Sequence, residues 1–208
     1  MNLRIYGWIL VCLLAQSCGI SRYAVGDLEV EMLTHQRIAI LPSELPWDVA
    51  NGWSLGSFRP IDGQGELYEA LVAQSHRYPQ VSIQSPAVTA QKLADITRKY
   101  DPEHPLSNAQ IAKELGVDAL ISLEWKLSGK SKYQPIAQHT SLEKSPNAMH
   151  PGTFRNVHLT GLCYLINGDS GEPLWSMKRK QELMPEVPID EVVRHVTRKF
   201  AANFPYRY

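Results

Sequence analysis

Cysteine is scarce in this chain: three in 208 residues, at positions 12, 18 and 163. So few thiols exclude a disulfide framework and a cysteine-based zinc cage. Neither sign of charge dominates, with 21 Lys and Arg against 21 Asp and Glu. That balance lacks the electrostatic footprint of a nucleic-acid binder, so none is expected as a partner. A long apolar run is missing too. The longest, residues 5–14, is interrupted at Gly7 and falls short of the roughly 20 residues a spanning helix needs. Seven histidines (His35, His76, His104, His139, His150, His158 and His195) are scattered without a His-x-x-x-His pair. There is no Gly-x-Ser-x-Gly elbow and no Walker loop. These absences imply no metal, no cofactor, no catalytic residue and no enzyme class.

What is present begins at the N-terminus. Arg4 supplies a positive start, residues 5–14 a short greasy core, and Ala15, Gln16 and Ser17 a small or polar stretch before Cys18. That order is the order of an export signal. Leu14-Ala15-Gln16-Ser17-Cys18 resembles the lipobox of bacterial lipoproteins, whose cysteine is acylated and becomes the first residue of the mature protein. The resemblance implies a signal peptide over 1–17 and a lipid anchor on Cys18. An ordinary cleaved signal beside an incidental cysteine is the plainer alternative. Gly19 follows the cysteine where an aspartate would favour the inner membrane, and no acidic run follows. The implied location is the periplasmic side of the outer membrane, held by acyl chains worth about 0.8 kcal/mol per buried methylene. Cys12 would leave with the signal, so Cys163 would be the one free thiol of the mature domain. Losing Arg4 leaves 20 basic against 21 acidic side chains.

The rest reads as a tether over 18–34 and a single α/β domain over 35–208. Residues 37–42 form a short apolar run stopped by Pro42, the pattern of a buried strand. Residues 64–77 carry Leu67, Ala70 and Leu71 on one helical stripe. Val81 and Ile83 alternate as a short strand. Pro86 opens a helix with Ala90, Leu93, Ile96 and Tyr100 along its apolar face. Ser107 is placed to cap a further helix that Gly116 ends. Ala119, Ile121, Leu123, Trp125 and Leu127 alternate with polar residues as a strand. Residues 153–166 form another, with Val157, Leu159, Cys163 and Leu165 on one face. Asn167-Gly168-Asp169-Ser170-Gly171 turns it into a third over 174–181. A closing helix from about Pro188 carries Ile189, Val192, Val193, Val196 and Phe200. The first half alternates strand and helix while the second meanders. The expected architecture is therefore α/β (α+β), a mixed sheet of about five strands with helices packed on it.

Three stretches resemble one family. Arg37-Ile38-Ala39-Ile40-Leu41-Pro42, the segment from Ile111 to Ile121, and Asp169-Ser170-Gly171-Glu172-Pro173-Leu174-Trp175-Ser176 are similar to parts of periplasmic lipoproteins. Those lipoproteins have a domain like the N-terminal domain of the Tol-system propeller protein, shared by the curli-secretion lipoprotein. The final helix running into Phe204-Pro205-Tyr206 is similar to uncharacterised lipoproteins of this kind. The resemblance implies a non-catalytic envelope protein that binds, assembles or supports something. Its partners would be the membrane through Cys18 and an envelope protein or a further copy of itself. A curli-like channel is disfavoured, because residues 128–152 do not alternate as a membrane strand must.

Two long segments, 43–63 and 128–152, are the candidate binding loops. Trp47, Trp53 and Phe58 in the first and Tyr133 in the second are the candidate contact residues, since aromatics dominate interface hot spots. The first loop's aromatics equally suit a lid on the core. Elsewhere the plainer reading is preferred. Asp101, Glu103 and His104 form a surface turn rather than a metal site. Gly63-Gln64-Gly65-Glu66 is a helix start rather than a phosphate cradle. Cys163 is a buried small hydrophobe, and Lys178 and Lys180 line a solvated edge. Two alternatives stay open: a hydrolase with a site invisible in sequence, and a small-ligand receptor built around an apolar cavity.

Overall fold

A computed structural model describes residues 20–43, 62–77, 79–100, 103, 105–128, 158–183, 187 and 189–206. They form one mixed six-stranded sheet with helices on it. In chain order the elements are β1 (Ile20–Ala24), α1 (Leu28–Thr34), β2 (Arg37–Ile40), α2 (Gly63–Val72), β3 (Ser82–Ile83), α3 (Pro86–Lys99), α4 (Asn108–Leu115), β4 (Ala119–Ser128), β5 (His158–Asn167), β6 (Pro173–Glu182) and α5 (Ile189–Ala202). The strand order is β1-β6-β5-β4-β2-β3. β2 lies parallel to β3 and β4, while β4, β5, β6 and β1 follow one another antiparallel. Parallel crossovers in the first half and a meander in the second are what the sequence pattern implies.

The sheet has two unequal helical layers. α2 and α5 cover one face, where Ile38, Ile121, Leu123, Cys163 and Met177 meet Leu67, Leu71, Val193, Val196 and Phe200. The helix α5 comes close enough to β5 that a Cβ on Gly161 would stand 2.9 Å from the Trp125 ring and 3.0 Å from Val196. On the opposite face α3 and α4 bury Ile96, Ala112 and Leu115 against Ala39, Leu120 and Ile166. β2 is thus apolar on both sides, and its Ile38, Ala39 and Ile40 are fully buried. Beyond Ile121 the second face turns polar: Glu124 and Lys126 of β4 and Lys178 and Lys180 of β6 are exposed there.

Local signals set the helix ends. Ser107 and Gln110 form a reciprocal capping box on α4, and Gly116 ends it at φ 69°. Ser85 caps α3, with Pro86 in its first turn. In the β5–β6 hairpin Asn167 Oδ1 accepts hydrogen bonds from the Asp169 and Ser170 amides at 2.8 and 3.2 Å.

Three sequence expectations change. Residues 20–34, which composition reads as tether, supply β1 and α1, so the sheet has six strands rather than about five. β1 escapes notice because it is an edge strand held by backbone pairing, with Ser21, Arg22, Tyr23 and Ala24 all exposed. Because β1 covers β6, Lys178 and Lys180 lie on an exposed face of an inner strand and not on the sheet's edge. The helix expected over 64–77 ends at Val72 and gives way to a 3-10 turn over Ser75–Arg77.

Candidate functional site

The aromatic candidates Trp47, Trp53, Phe58 and Tyr133 lie outside the described residues, as does Cys18. So do Asp101 and His104. The roots of the two long loops are described, and both sit at one end of the sheet. The first leaves near Ser43, whose Oγ accepts from Trp125 Nε1 at 3.4 Å, and returns at Gly63 against the same Trp125 ring. Around the second, the described residues stop at Ser128 and resume at His158, which face each other across β4 and β5, with His158 opposite Glu182 at the end of β6; residues 153–157 of the expected strand, Val157 among them, lie outside the described residues.

The same end carries an open groove of about 400 Å³ between β6 and α5. Glu182, Val187, Glu191, Arg194, His195 and Arg198 line it. Arg194 is committed to Glu66 of α2 at 3.2 Å, a bridge between the two helices of the layer. The His195 imidazole is held below its ordinary value by burial and by the charges of Lys199, Arg179 and Arg198. In the sequence it is one of seven scattered histidines with no pattern to mark it. No serine, threonine or cysteine is among the described lining residues. Beneath it on β6, the Arg179 Nε is buried without a hydrogen-bond partner among the described residues.

The opposite end of the sheet is built differently. His35 Nδ1 and the Tyr206 hydroxyl are hydrogen-bonded inside the core and tie the chain's last described residues to the start of β2. Burial lowers the His35 pKa, against the raising influence of Asp118, Glu31 and Asp169. Asp118 Oδ2 accepts from the Gln36 and Arg37 amides, each at 2.8 Å. Asn167 Nδ2 donates to Glu31 at 2.8 Å. These groups are spent on one another, which marks a structural lock.

Other singled-out residues fall to packing. The Gly65 amide is taken by Asp62 Oδ1 at 2.9 Å, and Gln64 Nε2 donates to the Ile40 carbonyl, so the α2 start is a cap and not an open phosphate cradle. Cys163 is fully buried and its thiol is pushed far up by desolvation, which agrees with its reading as a core hydrophobe. Among the described residues no three His, Cys, Asp or Glu side chains converge as a metal site, and no helix is long and apolar enough to cross a membrane.

No family model matches the chain, and no curated protein matches it. Solved structures similar to it include a dodecamer of a PelC variant from Paraburkholderia phytofirmans, at 10% identity and TM-score 0.46, covering 91% of this chain and 99% of that one. Lipoprotein GNA1162 from Neisseria meningitidis matches at 13% identity and TM-score 0.41, covering 81% and 99%. The LpoB C-terminal domain from Salmonella enterica matches at 14% identity and TM-score 0.37, covering 77% and 96%. At these identities and scores nothing about activity or partners is transferred from them.

Proposed function

We propose that the chain is a non-catalytic envelope lipoprotein, acylated on Cys18, that acts as a binding or assembly module at the periplasmic face of the outer membrane. One observation carries this reading: a single end of the sheet gathers the roots of both long loops, the groove and the N-terminal end of β1. Open α/β sheets bind at the carboxyl ends of their strands, and β2, β4 and β6 all end here. β1 starts two residues after Cys18 and is paired into the sheet edge. A lipid on Cys18 would hold the sheet within about 7 Å of chain from the anchor. The domain would rest on the bilayer instead of hanging from a flexible string, with its loop end beside the membrane. Trp47, Trp53, Phe58 and Tyr133 are the proposed contacts with a partner protein or a second copy. The lipobox and the three family-like stretches support the same reading.

Crosslinking in intact envelopes followed by recovery of the lipidated protein tests it. The expected outcome is a specific partner or a self-adduct, lost when Trp47 and Trp53 are replaced by alanine. Recovery of the uncrosslinked chain alone would contradict the assembly role.

A further inference from the structure

Beside the groove, Lys199, Arg179 and Arg198 gather around His195, a positive cluster that the chain's neutral total does not suggest. His195, Arg198 and Lys199 follow one another at helical spacing along α5, and all three are exposed. Asn203, just past the helix, accepts from Arg22 of β1 through Oδ1 and donates to the Lys199 carbonyl at 2.7 Å. Arg179 of β6 lies beneath, with its buried Nε unpartnered among the described residues. Four arginine and lysine side chains from three elements thus form one strip along the β1 edge. The acidic groove residues Glu182 and Glu191 stand beyond it where β6 ends and α5 begins, the end toward which the N-terminus of β1 points. The strip's position is the second observation. Ile20 pairs with Arg179, and the antiparallel register aims the N-terminal end of β1 toward the Lys180–Glu182 end of β6. A chain emerging from a bilayer at residue 18 therefore enters the fold beside the strip.

We propose that Arg22, Arg179, Arg198 and Lys199 form a headgroup-binding face that lays this edge of the domain on anionic phospholipid. Lipid phosphate oxygens offer acceptors to the exposed Arg22, Arg198 and Lys199 side chains. Guanidinium groups suit phosphate because their donors form a rigid fork. Juxtamembrane basic residues are drawn to an anionic leaflet with an attraction that fades within a Debye length. The inference deepens the anchored reading above, since it says which face meets the membrane, but it does not need the acyl chain for its test.

The mature chain with Cys18→Ser retains every described element and carries no lipid. It is incubated with vesicles of phosphatidylethanolamine and phosphatidylglycerol, and separately with phosphatidylcholine vesicles, and co-sedimentation is measured across a salt series. Binding is expected only to the anionic vesicles, weakening as salt rises. Arg198→Gln and Lys199→Gln should each lower the affinity about fivefold, the worth of one basic side chain near such a surface. Lys126→Gln, on the opposite sheet face, should leave it unchanged. Both α5 positions are exposed, and thermal melts confirm that the variants fold. Equal binding to both vesicle types, no binding to either, or an equal loss with Lys126→Gln would overturn the proposal. So would release by inorganic phosphate beyond that by chloride at the same ionic strength, which would mean a single phosphate site. If the native protein proves unacylated while vesicle binding holds, the anchored reading fails and the basic face stands. If it is acylated but shows no anionic preference, the reverse is true.

Discussion

The two ends of the sheet are finished in opposite ways. At the hairpin end His35 meets Tyr206, Asp118 holds two backbone amides, and Asn167 joins Glu31 to the turn. At the loop end the Arg179 Nε is a buried donor with no partner among the described residues, and desolvation, with the charges of Lys199, Arg179 and Arg198 behind it, lowers the His195 pKa. Native interiors rarely leave polar groups unpaired. The contrast therefore separates an end that holds the fold together from the end proposed above for binding.

The largest expected effect breaks the closed end. Tyr206 is fully buried and packs on Phe204, so Tyr206→Ala should cost about 3–5 kcal/mol, the range for emptying a buried aromatic site. Chemical denaturation checks it. A loss below about 1 kcal/mol would mean that the C-terminal segment does not lock the fold.

Next in size is the pH dependence of the same end. His35 titrates below its ordinary 6.5 because burial disfavours the imidazolium. The unfolded chain then binds more protons than the folded one below about pH 6.5, so stability is full above that pH and falls as pH drops through it. The neighbours Asp118, Glu31 and Asp169 oppose the shift without reversing it. Melting temperatures measured across this range should decline toward acid, and His35→Gln should flatten the decline between pH 6.5 and the acid range where carboxylates titrate. A His35→Gln profile parallel to the parent would place the titration elsewhere.

The open end should respond with the other sign. Removing a buried donor that has no acceptor among the described residues relieves its desolvation cost, so Arg179→Met should leave stability unchanged or raise it by up to about 1 kcal/mol. A loss of similar size would show that Arg179 has a structural partner. Smallest of all, Arg198→Gln should change stability by no more than about 0.5 kcal/mol, although it weakens vesicle binding.

Much of the closed architecture was legible in the sequence. The stripe of α5, the alternation of β4, the Ser107 cap, the Gly116 stop and the Asn167 turn all depend on neighbours a few residues apart, and all appear where the pattern puts them. β1 and α1 were not legible. Met32 is the one buried residue between 21 and 34, and Asp27 makes no side-chain cap, so neither periodicity nor capping marks them. Leu120 was also missed as a core position. Alternation assigns it to the polar face, but α3 and α4 cover that face up to Ile121. The groove and basic strip were invisible for a plainer reason. Arg22, Arg179 and Lys199 are far apart in the chain, and only the β1–β6 pairing and the docking of α5 bring them together.

The central claim is that this domain is held at a membrane through Cys18, with its loop end beside the bilayer. Intact-mass analysis of the mature N-terminus, taken from the native envelope, tests it most directly. The account predicts a chain that begins at Cys18 and carries acyl groups on it. An unmodified Cys18, or a mature terminus at any other residue, would contradict it.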